Sequence, residues 1–234
     1  MIRALIFDKD GTLFDFRASW GGWTRAVLDQ IPKTPEQAGI LARRLGFDPA
    51  TGQFDRDSIV IAHSTYEIAE VIAATLTHPQ PEALYVQLNA LAKAAPMVPA
   101  VDLLQVFGNL RSMGLKIGLA TNDTEVPARH HLQTAGILPL FDFVAGCDSG
   151  WGGKPAAGQL LAFAKAVGLD PSQIAMVGDS VHDMEAAANA GMLRVAVLTG
   201  IAEAADLAPH SDVVLADIGG LSAWVARQND PSFG

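Results

Sequence analysis

Two aspartates one residue apart, Asp8 and Asp10, follow directly on the apolar run Ile2 to Phe7, with Gly11 and Thr12 behind them. Side chains alternate faces along an extended chain, so both carboxylates can project to one side where the run ends, while Lys9 points elsewhere. Carboxylates that close repel each other and raise one proton affinity unless a cation neutralises them. The pair serves two chemistries that can coexist, a divalent-metal site and a nucleophile beside a proton-carrying partner. A capping pair in a surface turn would read the same way. Gly11 permits a turn or a close backbone approach, and Thr12 can hold an aspartate side chain or offer its amide to an anion.

Three more clusters of this kind follow other apolar runs. Thr121-Asn122-Asp123-Thr124 precedes a helical pattern, and a hydroxyl with backbone amides at a helix N-terminus suits a phosphate, although these residue types are also ordinary N-caps. In Gly152-Gly153-Lys154-Pro155, a lysine set between glycine and proline is either a fixed positive charge or a solvated surface residue. Gly178-Asp179-Ser180-Val181-His182-Asp183 leaves Asp179 at a strand end and Asp183 in the first helical turn, where metal ligation and plain N-capping are both open. Together the clusters supply what metal-assisted phosphoryl transfer requires: a carboxylate nucleophile, an anion cradle, a cation and further carboxylates for Mg2+.

The elements that must position them read as βα units. Short apolar runs (Ile2 to Phe7, Leu115 to Ala120, Phe141 to Ala145, Ile174 to Val177, Arg194 to Leu198, Val213 to Leu215) alternate with helical patterns, the rhythm of a parallel sheet. Glycines 114, 136, 168 and 191 stop four of those helices. In an open sheet of this class, ligands bind beyond the carboxyl ends of the strands, where all four clusters fall. About a hundred residues separate the first two strands, far more than a crossover needs. Within that gap, Trp20 to Gln30, Glu36 to Leu45, Tyr66 to Leu76 and Glu82 to Ala94 carry helical spacing, and Phe47 to Gly52 reads as a turn. The expected division is an α/β core of residues 1–15 and 96–234 with a helical domain, 16–95, inserted between.

Composition narrows the partners. Of 234 residues half are hydrophobic, and a net charge of −9 with scattered Lys and Arg disfavours nucleic acid. No stretch approaches the roughly 18 apolar residues of a membrane span, and the lone Cys147 with no signal-peptide pattern points to a cytoplasmic protein. None of His130, His131 and His182 has the spacing of a zinc site. Nothing in the sequence speaks to oligomeric state.

Asp8 to Thr12, Thr121, Lys154 and Asp179, in that order, resemble the four motifs of the haloacid dehalogenase superfamily, specifically its phosphatases with a helical cap after the first strand, the group containing phosphoglycolate phosphatases. The resemblance spans essentially the whole chain. It implies a doubly wound, Rossmann-like core with an all-helical cap, and a Mg2+-dependent phosphatase acting on a small phosphorylated metabolite such as 2-phosphoglycolate. It implies Asp8 as the nucleophile that becomes an aspartyl phosphate and Asp10 as the acid/base. Thr121 and the Asn122 amide, with Gly11 and Thr12, would bind the phosphoryl group, and Lys154 would offset its charge. Mg2+ would sit on Asp8, the Asp10 carbonyl and Asp179, with Asp183 in or just behind the shell. Lys9 departs from the superfamily, where that position is usually apolar, and Gly152-Gly153 stand where a basic residue often precedes the lysine. Dehalogenases of the superfamily lack the second aspartate, so Asp10 favours phosphate over halide chemistry. A phosphomutase of the same fold acting on a sugar phosphate is the rival enzyme, and an Asp-phosphorylated receiver module the rival from another class; the latter has no reason to hold an inserted domain. Candidate specificity residues are Arg17, Ser19, Trp20, Arg43, Arg44, Ser58 and His63, each with a bland reading as solvated face, packing or buried imidazole.

Overall fold

The computed structural model describes residues 1–55, 57–77, 80–230 and 232. In chain order it runs β1 (Ala4–Phe7), α1 (Phe16–Gln30), α2 (Pro35–Leu45), β2 (Phe47–Asp48), β3 (Gln53–Phe54), α3 (Ile59–Ala62), α4 (Thr65–Leu76) and α5 (Pro81–Ala94). It continues with α6 (Leu103–Ser112), β4 (Lys116–Ala120), α7 (Glu125–Thr134), β5 (Phe143–Ala145), α8 (Gly158–Val167), β6 (Ile174–Gly178), α9 (Val181–Ala190), β7 (Leu193–Val197), α10 (Ala204–Leu207), β8 (Val213–Leu215) and α11 (Leu221–Asn229). Six of the strands form one parallel sheet in the order β5-β4-β1-β6-β7-β8.

Strand alternation builds a core on each side of that sheet. Leu5 and Phe7, with Leu119 and Val177, pack under Phe107 of α6, Leu132 of α7 and Trp224 of α11. Ala4 and Ile6, with Ile174 and Met176, pack under Phe163 of α8 and Ala186 and Ala187 of α9. The sheet is therefore wound on both faces, and both cores are apolar without a break along β1, as a buried parallel strand demands. The helices from Phe16 to Ala92 gather round a separate apolar cluster. That segment is helical except for one antiparallel hairpin, β2 with β3, formed at the turn around Phe47 to Gly52. Phe47 and Phe54 pair across it, ring centroids 4.9 Å apart, and bury into the helical cluster, which is what the extra strands achieve. Two linkers carry the chain out of the sheet and back side by side: Asp15 N–H donates to the Val98 carbonyl at 2.8 Å, Ala100 N–H to that of Leu13 at 2.9 Å, and Val98 N–H to Ser19 Oγ at 3.0 Å.

Candidate active site

Phe7 pairs with Leu119 on one side and Val177 on the other, so β4, β1 and β6 end abreast at the centre of the sheet. Asp8 extends the ladder by one bond, N–H to the Val177 carbonyl at 2.8 Å, and turns its carboxylate into the crevice. Lys154, from the loop after β5, is buried there; its Nζ donates to Asp8 Oδ1 and to Asp183 Oδ1, each at 2.6 Å. Oxygens of Asp8, Asp179 and Asp183 all lie within 4.8 Å of one another. The other Asp183 oxygen accepts from Ser180 N–H at 3.1 Å and Ser180 Oγ at 2.6 Å, so this aspartate closes the first turn of α9 as well as facing Lys154. The Lys154 contact and the capping use different oxygens of one residue.

Burial pushes the Asp8 carboxyl up to about 7 in spite of the Lys154 ammonium, with Asp183 and Asp10 adding repulsion. Asp179 is raised well above the carboxylate range by burial and then by Asp8 and Asp183. Burial alone would lower Lys154, but Asp183 and Asp8 outweigh it and hold the ammonium above the usual lysine range. Three buried carboxylates against one ammonium make an oxygen-lined negative site of the kind that takes a hard divalent cation, and the donor set fits Mg2+.

Gly11 and Thr12 take up the turn, the close approach and the aspartate contact that their residue types allow. Gly11 N–H is taken by the Phe14 carbonyl at 2.8 Å, and the fully buried Thr12 donates from Oγ1 to Asp179 Oδ1 at 3.3 Å. At Gly11, φ is +80° and a Cβ would overlap the Asp179 carboxylate, so glycine serves both the turn and the close approach. The pair seats Asp179. Thr121 and Asn122 do line the cleft. The Asn122 side chain also clamps the lysine loop, accepting from Lys154 N–H at 2.8 Å and donating to its carbonyl at 3.0 Å.

Lys9 does not point away from the pair. Its ammonium, fully buried, lies 2.9 Å from Asp10 Oδ2, 2.9 Å from Asp123 Oδ2 and 3.2 Å from His131 Nδ1. The alternation argument fixes where Cβ starts, and a four-carbon stem has the reach to return. Asp10 lines the same cleft; its Oδ1 is buried and has no hydrogen-bond partner among the described residues.

Over these groups the helical segment sets an apolar wall of Phe16, Trp20, Trp23, Val60, Ile61 and Ile68, broken by Thr65 and by His63 at the exposed edge. The Trp20 indole N–H is buried there without a partner among the described residues. Of the expected specificity residues only Trp20 and His63 reach the cleft; Arg17, Arg43 and Arg44 are exposed, Ser19 binds the Val98 amide, and Ser58 donates to the Leu45 carbonyl at 2.6 Å. Sequence reasoning missed Thr199 and Gly200. Thr199 Oγ1 donates to the Gly11 carbonyl at 2.6 Å, and a Cβ on Gly200 would overlap Asp179. Their signal was present, a small polar pair closing the run Arg194 to Leu198.

The sequence profile of the haloacid dehalogenase-like hydrolases matches residues 2–191. The chain is 30% identical to a phosphoglycolate phosphatase of Chromobacterium violaceum across 93% of this chain and 96% of the relative. It is 29% identical to that of Caulobacter vibrioides across 88% and 86%. The β-phosphoglucomutase of Clostridium difficile has the same fold, with a TM-score of 0.67 at 20% identity over 97% of this chain and 96% of that one.

Proposed function

The chain belongs to the haloacid dehalogenase-like hydrolases and is a phosphatase by its relatives, and on that premise we propose that it hydrolyses a small phosphomonoester, 2-phosphoglycolate first among candidates, through an aspartyl phosphate on Asp8. The observation that carries the reading is the Lys154 bridge. By holding Asp8 Oδ1, Lys154 leaves Oδ2 to attack phosphorus, and its charge lies where two anions must meet. Asp10 gives its proton to the leaving oxygen as the ester bond breaks, then takes one from the water that cleaves the aspartyl phosphate. The Thr121 hydroxyl and the Asn122 amide hold the phosphoryl oxygens. Mg2+ would be held by Asp8, the Asp10 carbonyl and Asp179 with Asp183 behind them, and when bound it supplies the remaining neutralisation of the reacting anions. Residues 16–95 act as a cap that closes over core residues 1–15 and 96–234 on the two linkers and excludes water from the first step.

The test is phosphate release from a panel of phosphorylated metabolites ranked by kcat/KM, with Asp8→Asn and EDTA as controls. Both controls abolish turnover and Mg2+ restores the second; full activity in either sinks the mechanism. Accumulation of a sugar-phosphate isomer in place of free phosphate would make the enzyme a mutase. A receiver module has no use for Asp10 or for the apolar wall over the site.

A further inference from the structure

Lys9 lies behind Asp10 and Asp123 of the cleft with no access to solvent, and its ammonium has an acceptor on each of Asp10, Asp123 and His131. The acceptors are themselves fixed. Asp123 Oδ1 accepts from the Thr124 N–H at 2.7 Å, and His131 Nε2 lies 2.9 Å from the Ala92 carbonyl in the last turn of α5. A carbonyl only accepts, so Nε2 carries the imidazole proton and Nδ1 is left to accept from Lys9. Burial, and then the Lys9 charge, lower His131 to about 4, which keeps the ring neutral in this arrangement. The face of Trp20 closes the remaining side, 5.3 Å from the ammonium. Stability is no reason to build such a cluster. Removing charges from water costs several kcal/mol per ion, and apolar residues of similar volume serve a buried position as well or better.

We propose that Lys9 is a positioning residue for the reaction: it anchors Oδ2 of Asp10 so that the unpartnered Oδ1 faces the leaving oxygen of the substrate. The inference rests on the acid/base role given to Asp10 above. In the first half-reaction the Oδ1 proton passes to the leaving oxygen as its bond to phosphorus breaks, the bonding pair staying on that oxygen. In the second, Oδ1 accepts a proton from the attacking water. A carboxylate free to rotate would present either oxygen at either angle, and misplacement by about 1 Å can cost about a hundredfold. The seat of Lys9 is completed from the helical segment by Trp20 and, through His131, by Ala92, so the anchor is whole only with that segment packed against the sheet.

The experiment compares kcat/KM for an alkyl phosphate, whose alkoxide must be protonated to leave, with that for para-nitrophenyl phosphate, whose phenolate leaves without a proton. Lys9→Met should lose roughly a hundredfold on the alkyl ester and no more than about threefold on the aryl ester. An equal loss on both esters, or no loss on either, overturns the proposal, because general damage to the fold does not discriminate between leaving groups. Asp10→Asn separates the layers of the reasoning. If it keeps the alkyl activity, the acid/base reading itself is wrong; if it loses that activity while Lys9→Met keeps it, only the anchoring role falls. Lys9→Met with Asp123→Asn removes the buried pair whole and carries the same measurement should the single variant not fold. Selective loss on the alkyl ester should persist in it, and a return to the wild-type ratio would mean that Lys9 merely neutralises Asp123.

Discussion

Asp8 should be a stability liability in the metal-free enzyme, and the size of the effect follows from burial. In the folded protein the Asp8 carboxyl titrates at about 7, against 3.8 in an unfolded chain. Between those values the folded state holds a proton that the unfolded state has released, so unfolding free energy falls as pH rises from about 4 to about 7 and is flat beyond. A gap of about three pH units at about 1.4 kcal/mol each is on the order of 4 kcal/mol. Asp8→Asn keeps the shape and cannot ionise, so it escapes this loss. His131, held down to about 4, titrates in the opposite sense, but it is present in both proteins and cancels in the difference. The assay is denaturant unfolding of wild type and Asp8→Asn in EDTA across that pH range. The variant should gain on wild type by roughly 4 kcal/mol, about 10 °C in Tm for a chain of this size, with the gain complete by about pH 7. Saturating Mg2+ should shrink it, because a cation binds only the ionised site. A difference independent of pH in EDTA would refute the burial argument.

Lys154→Met removes two charge-assisted hydrogen bonds of 2.6 Å, worth about 1.5–3 kcal/mol each, so kcat should fall by at least a hundredfold with far-UV circular dichroism retained; a loss under tenfold would remove the bridge from the mechanism. Gly200→Ala places a Cβ on the Asp179 carboxylate and should raise the Mg2+ concentration for half-maximal activity by about tenfold or more, as loss of metal-supporting contacts does; an unchanged Mg2+ requirement would show that Asp179 can move aside.

What the sequence disclosed was local and what it hid was long-range. The strand runs were readable because every residue of β1 is buried on one face or the other, and Asp8, Thr121 and Asp179 because each directly follows a strand, whereas Lys154 stands well beyond β5 and Asp183 in the first turn of α9. Two of the three partners of Lys9, Asp123 and His131, lie 114 and 122 positions away, and no spacing rule within one strand reports on them. Gly11 was open to a turn or a close approach and Thr12 to an aspartate side chain or an anion; the structure shows the approach and the bond to Asp179, a partner 167 residues from Thr12 that no local pattern could name. The hairpin at Phe47 to Phe54 has strands of two residues each, too short for any period to show.

The acidic balance of the chain takes on meaning at the site, where five aspartates meet two lysines in unequal halves. Lys154 binds Asp8 and Asp183 with Asp179 beside them, and with all three ionised that half would carry an excess of two negative charges, which a divalent cation would balance. Lys9 faces Asp10 and Asp123, a formal excess of one. On the proposed mechanism the half with the larger negative excess is the one where phosphorus would be attacked. The wall above adds no compensating charge, since Phe16, Trp20, Trp23, Val60, Ile61 and Ile68 carry none. A carboxylate on the departing alcohol, as in 2-phosphoglycolate, would find no cation against that wall and would have to turn toward His63 and His182 at its margin. Replacing those two imidazoles should therefore weaken an acidic substrate and leave a neutral one of the same length alone, which separates recognition of the leaving group from the chemistry beneath it.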